Sequence, residues 1–375
     1  MHINFLDHFK DLDDPRVPGL ISYPLDELLL TTLCAVLSGY EDWSDIATYG
    51  REKLDFLGRF LPYGSGAPGK DVYRNVFSLI DFESFSACFG RWVASVCARV
   101  EGVVAIDGKT LRGSRDAKNG KKAVHMVSAF AHAQGITLGQ EAVSEKSNEI
   151  TAIPRLLDRL VLEGTIVTID AMGTQKKIAE KIIERKADYV LSVKDNQPSL
   201  AEAVERFFRI QEKDRWRSYS HRFCEDVDAG HGRIETRRLW VCDDVEFLSP
   251  VNEWPGARSI AMIESRRLVA GEESVEIRYF ISSLSADALK IADAIRAHWS
   301  IENRLHWVLD VQLGDDMCRM RVKNLPKNFH LLKQIALNVL RQNPLKTSLK
   351  AKRTKAALNE TFLTDLLSQY NPSKI

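Results

Sequence analysis

Two short apolar runs that each stop at an aspartate constrain the fold of this chain more than any other feature. Residues 103–106 (VVAI) stop at Asp107, and residues 165–169 (TIVTI) stop at Asp170. Short, β-branched apolar runs are typical of strands that are buried on both faces of a sheet. Ligands of such sheets bind beyond the carboxyl ends of the strands, so both aspartates are expected to face one crevice. Taken alone, either aspartate could equally end a strand or cap a helix.

The order of the other segments predicts an α/β fold with an RNase H-like mixed sheet. Strand candidates at 103–106, 123–132 and 136–144 are joined by short connections, which favours an antiparallel meander. Helices and strands then alternate, which favours parallel pairing. The alternating segments are a helix at 149–162, a strand at 165–169, a helix at 174–186 and a strand at 189–193.

The length of the chain and the changes in its sequence pattern predict several domains. At 375 residues the chain exceeds one ordinary domain. We expect a small helical N-terminal domain over residues 1–100, an RNase H-like domain over 101–345 with a β-rich insertion at about 197–286, and a basic C-terminal tail over 346–375. Strands of the insertion are expected at 233–242, 258–268 and 275–283. Further helices are expected at 26–39, 81–99, 198–211, 286–311 and 326–341.

The composition is that of a globular protein, with 45% apolar and 27% charged residues. No leader peptide or membrane span is visible, because the most apolar stretch, residues 28–37, is too short to cross a bilayer. The six cysteines are scattered and lack a C-x-x-C pair. This spacing argues against a zinc ribbon or a disulfide framework and predicts a reducing, cytoplasmic location.

A third acid, Glu302, lies within a segment of strong helical periodicity. On a helix of about 100° per residue, several apolar residues fall within roughly 60° of it. These residues are Ile291, Ile295, Trp299, Leu305, Leu309 and Leu313. A carboxylate in the centre of an apolar face needs a cation or a proton, because burying it unpaired is costly. We therefore expect Glu302 either to bind a metal ion or to form a buried salt bridge with an Arg or Lys.

Two strand-end aspartates and one helical glutamate make an acidic pocket whose ligands are all oxygen. Such ligands suit Mg²⁺ or Mn²⁺ better than zinc. Two ions held between Asp107, Asp170 and Glu302 can activate a water or a 3′-hydroxyl for an in-line phosphodiester displacement. A zinc site of His298, Glu302 and His306, which are spaced i, i+4 and i+8 on one helix, is the competing interpretation.

Basic residues cluster locally although the net charge is only +1. Residues 109–122 contain six bases and one acid, and residues 341–355 contain six bases and no acid. Such clusters can bind DNA phosphates with release of counterions, or they can be solvated surface.

The motifs of the chain resemble those of the H-repeat-associated insertion-sequence transposases, which belong to the bacterial DDE transposase superfamily. The resemblance spans nearly the full length. The matching motifs are AIDGKTLRGS (105–114), EKSNEITAIP (145–154), TIDAMGTQ (168–175), VKDNQ (193–197), HGRIETR (231–237), RYFISS (278–283) and HWSIENRLHWVLDV (298–311).

This resemblance implies an RNase H-like core with a β-rich insertion and a catalytic triad of Asp107, Asp170 and Glu302. It implies metal-dependent cleavage and strand transfer of an insertion sequence, with two Mg²⁺ or Mn²⁺ ions per site. The implied partner is double-stranded DNA, both as element ends and as target. A homo-oligomer on DNA, a cytoplasmic and nucleoid-associated location, and no membrane partner are also expected.

The chain departs from the wider superfamily around the third acid. Many relatives carry a Tyr and an Arg before the Glu and a Lys after it, whereas this chain has Ile295, His298 and Leu309 at those spacings. Their contacts with DNA ends are therefore not carried over unchanged, and other residues of the chain are expected to replace them. The expected DNA-contacting residues are Lys109, Arg112, Lys194, Asn196, His231, Arg233, Arg237, His298, Arg304 and His306.

Three tryptophans are candidates for base stacking. Trp299 shares the apolar stripe of Glu302 and is expected in the core, whereas Trp307 points elsewhere and is the better candidate. Trp240 is the third.

Two alternatives to a transposase stay open at this point. One is a catalytically inactive, transposase-derived DNA-binding protein, and the other is a metal-dependent nuclease on the same fold. The products separate them, because a nuclease cleaves without joining and a binding protein does neither.

Overall fold

Nine strands form one mixed sheet in the part of the chain that the structure describes. The structure is a computed structural model, and it describes residues 4–97, 99–144, 147–230 and 232–368. The strands are β1 Val103–Leu111, β2 Val124–Ala131, β3 Ile136–Ala142, β4 Ile166–Ile169, β5 Asp188–Val193, β6 Arg222–Gly230, β7 Arg233–Cys242, β8 Ser259–Val269 and β9 Glu272–Ser282. Their order across the sheet is β3-β2-β1-β4-β5-β9-β8-β7-β6.

Helices cover both faces of the sheet. Those before β1 are α1 Asn4–Asp7, α2 Leu25–Leu37, α3 Trp43–Glu52, α4 Leu54–Leu57, α5 Lys70–Leu79 and α6 Phe82–Val96. Those between the strands are α7 Glu149–Asp158, α8 Lys176–Glu184, α9 Pro198–Lys213 and α10 Ser249–Asn252. Those after the sheet are α11 Ala288–His298, α12 Trp307–Gln312, α13 Leu325–Gln342, α14 Leu349–Leu358 and α15 Glu360–Ser368. Among the described residues, no helix is both long and apolar enough to cross a membrane.

The expected RNase H-like arrangement of an α/β fold is confirmed. β1, β2 and β3 pair antiparallel in chain order, and β4 pairs parallel with both β1 and β5. Successive residues of the central strands alternate between two apolar cores. Val104 and Val167 point into the larger core, and Val103 and Ile166 point into a smaller core that α11 covers. This burial on both faces is why these strands are apolar runs.

The expected β-rich insertion joins the central sheet instead of forming a separate one. β9 pairs antiparallel with β5, from Val190 opposite Ser282 to Val193 opposite Tyr279. β8, β7 and β6 then extend the sheet. β6 was not among the predicted strands, because its sequence, RFCEDVDAG, is mostly exposed and carries no apolar alternation.

The N-terminal region is helical, as expected, but it has no core of its own. α13 packs against α2, α5 and α6 on one side and against β3 on the other. Two of its asparagines fix this position. The Asn328 amide donates to the carbonyls of Phe77 and Ile80, and Asn338 exchanges two hydrogen bonds of 2.9 Å with the backbone of Thr137. One apolar core therefore runs from the N-terminal helices to the sheet.

The C-terminal basic segment is folded as far as Ser368, and two of its bases are buried instead of lying on a phosphate-binding or solvated surface. α14 and α15 pack against each other. The buried Arg353 donates to the carbonyl of Val36 at 3.0 Å and forms an ion pair with Glu41. Lys352 donates to the carbonyls of Leu340 and Asn343. These cations complete the ends of α2 and α13, where backbone carbonyls lack helical partners.

Arg353→Gln should lower the free energy of unfolding by about 3 kcal/mol, because Glu41 and the end of α2 lose a buried cation. Lys350→Gln, in the same helix but exposed, is the matched control and should change it by less than about 0.5 kcal/mol. Urea unfolding of both variants checks this. Equal stabilities would contradict a structural role for Arg353.

Candidate active site

Asp107 and Asp170 lie side by side at the edge where β4 ends. In the parallel register of β1 and β4, Ile106 is opposite Ile169, so the next residue of each strand is an aspartate. Asp170 directly follows β4, as expected. Asp107 does not end β1, which continues to Leu111 because β2 still pairs with it beyond the end of β4. The antiparallel partner therefore carries β1 past the site.

Glu302 reaches the same cleft from a distorted helix. The helix predicted over 286–311 is interrupted, since α11 ends at His298 and residues Ile301–His306 form a π-helical turn. Ile301 and Leu305 are buried, whereas Glu302 is exposed. The expectation that Glu302 is buried within the apolar stripe is therefore wrong. The wider π turn changes the angular spacing on which that expectation depended, and such turns are frequent at functional sites.

The three acids line one cleft on the face of the sheet that α11 covers. The other lining residues come from the ends of β4 and β5, from β9 and from α11. They are Thr168, Ile169, Ala171, Val190, Ser192, Lys194, Glu276, Arg278, Phe280, Ile295, His298 and Trp299. Sequence and structure thus bring Asp107, Asp170 and Glu302 together, although they are far apart along the chain.

The cleft carries unbalanced negative charge. Burial raises the pKa of Asp107 to about 7, and the carboxylates of Asp170, Glu149 and Glu302 act in the same direction against a hydrogen bond from the Gly108 amide. Burial also raises the pKa of Asp170, although the Gly173 amide donates to it at 3.2 Å. Carboxylic acids that are held close together and partly dry favour a proton or a cation.

A fourth acid, Glu149, was missed by sequence analysis. It begins α7, and its Oε1 lies 2.5 Å from His125 Nε2. The pair packs behind β1 at Gly108, where a Cβ would collide with both side chains. Gly108 therefore allows a carboxylate to approach Asp107 from the opposite face of the sheet. The signal available in the sequence was an acid at the start of a predicted helix, within the EKSNEITAIP motif.

Two predicted DNA-contacting histidines are neutral parts of the site. His306 Nδ1 lies 3.4 Å from Asp107 Oδ2, and burial lowers the pKa of His306 to about 3. His298 Nδ1 hydrogen bonds with Thr168 Oγ1 at 3.1 Å, and burial, with the nearby Arg278, lowers its pKa to about 4. Both pKa values lie well below neutral pH, so burial favours the neutral form of each imidazole in the absence of DNA.

Lys109 is also not available to DNA phosphate. Its side chain is only 7% exposed, and its Nζ lies 2.5 Å from Asp310 and 3.7 Å from Asp316. This ion pair joins β1 to α12, directly after the turn that carries Glu302. The expected DNA contact is wrong because the side chain points under the site, where it holds the helix against the strand.

The other predicted DNA-contacting residues differ in how free they are. Arg112 is exposed, with one ion pair of 3.7 Å to Asp316, and Lys194 is exposed on the cleft. Asn196 is used in the structure, since its amide donates to the Ala171 carbonyl at 2.5 Å. Arg304 is engaged away from the cleft, where it donates to the His132 carbonyl.

The remaining predicted residues belong to the outer part of the sheet. Arg233 is exposed near the tip of the β6–β7 hairpin, and Arg237 pairs with Glu235 at 2.7 Å and with Asp226 at 3.3 Å. His231, which was predicted with them, lies outside the described residues.

The tryptophans are arranged differently from the prediction. Trp299 is 44% exposed and lines the cleft, whereas Trp307 is exposed but is not part of the lining. Trp240 stacks on Trp216, with ring centroids 5.5 Å apart. Trp299 directly follows His298 at the end of α11, where the helix borders the open cleft instead of the apolar core.

The donor set of the cleft fits a hard divalent cation. The charged ligands are all carboxylates, and the raised pKa of Asp107 reflects a site in which added positive charge is favourable. Across residues 4–97, 99–144, 147–230 and 232–368, no three His, Cys, Asp or Glu side chains surround a single point as a ready metal centre. This also holds for the competing zinc set of His298, Glu302 and His306.

Comparison with known proteins gives a consistent family. The family model described as DDE_Tnp_1-associated matches residues 6–93, and the model described as Transposase DDE domain matches residues 98–339. The chain is 41% identical to "Putative transposase YncI" of Escherichia coli O157:H7, over 97% of this chain and 94% of that protein. It is 38% identical to "H repeat-associated putative transposase YhhI" of Escherichia coli strain K12, over 97% of each.

A solved structure is also similar, at low identity. It is a chain of the cryo-EM structure of the piggyBac transposase synaptic complex with hairpin DNA. The match covers 98% of this chain and 78% of that chain, with 12% identity and a TM-score of 0.46.

The raised pKa of Asp107 should make the metal-free protein less stable as pH rises. Folding favours the protonated carboxyl, so its stabilising contribution is complete below the unfolded pKa near 4 and is lost as pH approaches about 7. Compared with Asp107→Asn, the wild type should lose a few kcal/mol between pH 4 and pH 8. Urea unfolding in EDTA measures this difference, and parallel profiles for the two proteins would contradict it.

Lys109→Met should lower the free energy of unfolding by about 3 kcal/mol, because Asp310 and Asp316 lose a buried cation. Arg112→Met, at a side chain that is 80% exposed, is the matched control. It should leave stability unchanged and reduce the salt slope of duplex DNA binding by about one. A Lys109→Met variant that is as stable as the wild type and shows a reduced salt slope of DNA binding would indicate that Lys109 contacts phosphate.

Proposed function

The chain belongs to the DDE transposase family, and we propose that it is an active transposase that cuts the ends of an insertion sequence and joins them to target DNA. The observation that carries the proposal is the placement of Asp107, Asp170 and Glu302 on one cleft. We assign the catalytic triad to these three acids.

Two Mg²⁺ or Mn²⁺ ions per site are the cofactor of this proposal. Asp107 and Asp170 would hold them at the strand ends, and Glu302 would complete the set from the π turn. Bound there, the ions would activate the attacking oxygen and stabilise the leaving oxygen of a phosphodiester displacement.

The protein side chains have separate tasks around this chemistry. In cleavage a water attacks phosphorus and the bond to the 3′ oxygen breaks, which leaves a 3′-hydroxyl and a 5′-phosphate. In the joining step this 3′-hydroxyl attacks a target phosphorus, the target P–O3′ bond breaks, and the target 3′-hydroxyl leaves. Lys194 at the end of β5 is placed to contact a non-bridging phosphate oxygen. The neutral His306, beside Asp107, keeps a carboxylate oxygen oriented without competing as a cation.

Double-stranded DNA is the proposed partner, both as element end and as target. Arg237 is opposite Ser265, which is opposite Glu276 of the cleft, so these three side chains share one face of the sheet. Arg233, two rows further out, shares that face. With the exposed Arg112, they would contact the DNA backbone beyond the cleft. Two copies of the chain would be needed to hold two element ends.

We propose a domain division of the chain that is consistent with this function. Residues 1–100 would form the associated helical part, and residues 101–345 the catalytic part, with 197–286 as the insertion. Because α14 and α15 pack on the body, residues 346–368 would serve stability more than DNA binding.

Glu302→Gln should abolish cleavage and joining, by at least about a hundredfold, because a neutral amide binds a divalent cation poorly. Since Glu302 is exposed, the stability without metal should change by less than about 0.5 kcal/mol, and the Mn²⁺-induced rise in melting temperature should shrink. The assay uses supercoiled plasmid that carries the gene with its flanking DNA.

Asp293→Asn, at an exposed acid of α11, is the matched control and should cleave as the wild type does. Cleavage without joined products would favour the nuclease alternative, and binding without either would favour the inactive one. A Glu302→Gln variant that still cleaves would remove Glu302 from the triad.

A further inference from the structure

Arg278 is a partly buried cation on the acidic cleft, and its ion pairing is weak. Its side chain is 16% exposed, and its closest ion pair is 3.8 Å, to the exposed Glu276. Among the described residues, no hydrogen-bond acceptor is within reach of its buried Nε. Burying an ion without hydrogen bonds is costly, so a guanidinium in this state is suited to an anion that arrives later.

Two nearby cations are already engaged by carboxylates, unlike Arg278. Lys109 is held by Asp310, and Arg237, on the next row of the sheet, is held by Glu235 and Asp226. Arg278 instead faces the cleft with Asp170 and Glu302. It also lies beside His298, whose pKa it helps to lower, so the neighbouring imidazole adds no competing charge.

Trp299 lies next to Arg278, so the cleft offers an aromatic surface beside the guanidinium. The Arg278 guanidinium lies 5.5 Å from the centre of the Trp299 ring. The ring is 44% exposed on the cleft, three residues before Glu302. An arginine fork binds two oxygens of a phosphate at once, and an exposed indole can stack on any base.

We infer that Arg278 and Trp299 form a nucleotide subsite of the cleft, in which Arg278 binds a backbone phosphate of the DNA strand next to the scissile bond and Trp299 stacks on the adjoining base. The inference rests on the proposed function, because it assumes that a DNA strand enters this cleft. Arg278 was not among the predicted DNA contacts, and Trp299 was expected in the core.

A purely structural role for Arg278 makes different predictions. If the guanidinium only supports the Trp299 ring, its removal lowers the melting temperature and leaves the affinity of the folded protein for DNA unchanged. If it awaits a phosphate, its removal leaves the melting temperature level or higher, because a poorly paired buried ion is lost. The affinity then falls.

The test uses the full chain and a short probe that fits one cleft, 5′-phosphorylated tetrathymidylate, in Ca²⁺ to bind without chemistry. Binding is followed by tryptophan fluorescence quenching and by calorimetry. Arg278→Gln should raise Kd at least about tenfold. Trp299→Leu should abolish most of the quenching and weaken binding about fivefold or more. Arg278→Lys should bind more weakly than the wild type, because it keeps the charge and loses the fork.

Arg238→Gln is the matched control, since Arg238 lies on the opposite face of the same sheet and pairs with Glu225. It should bind the probe as the wild type does. The inference is overturned if Arg278→Gln keeps wild-type affinity, if the wild type does not bind the probe, or if Arg238→Gln loses affinity to the same extent.

The failure of this inference and that of the proposed function are distinguishable. Probe binding in Ca²⁺ does not require cleavage, whereas the plasmid assay does. A protein that binds the probe through Arg278 but never cuts DNA would keep the subsite and lose the transposase activity. If the Arg278→Gln variant cuts and binds DNA as the wild type does, the proposed activity stands and the proposed subsite is wrong.

Discussion

The parallel register of β1 and β4 is the constraint on which the rest of the site depends. It places two carboxylates on neighbouring strands, one residue past their last pair, Ile106 opposite Ile169. Burial raises the pKa of both Asp107 and Asp170, and repulsion from the neighbouring carboxylates adds to the rise at Asp107. Only a framework stable enough to withstand that repulsion can keep them ready for a cation.

That framework is a buried polar network beneath the cleft. Lys109 joins β1 to Asp310 of α12, so the strand with Asp107 and the helix after Glu302 are held together. Next to it, the buried Asp315 pairs with His330 and Lys333 of α13, and this pairing holds the pKa of Asp315 well below its usual range. Gln334 extends the network to Ser128 of β2. α13, which also joins the N-terminal helices to the sheet, thereby supports the site directly.

Burial and ion pairing also explain which basic residues remain available for DNA. Two clusters were visible in the sequence, at 109–122 and 341–355. In each cluster, the fold engages buried cations, namely Lys109 in the first and Lys352 and Arg353 in the second. Arg112 remains exposed, with one ion pair of 3.7 Å to Asp316. A cluster of basic residues in the sequence therefore does not by itself define a basic surface, because some of its members are buried and paired in the folded protein.

The sequence by itself determined strands β1 to β5, their antiparallel and parallel pairing, and the two aspartates that follow their apolar runs. Short apolar runs and helical periodicity are local properties that burial on two faces imposes. It also carried family motifs over nearly the whole chain. It did not determine the exposure of Glu302, which lies on a π turn that packs against β1. Nor did it determine the exposure of Trp299, because the sequence does not show that α11 ends beside an open cleft.

Tertiary structure alone also decided the roles of Lys109 and Glu149. One lies under the site and the other approaches it through the space at Gly108. These side chains meet partners far away along the chain, and no local pattern records such distances.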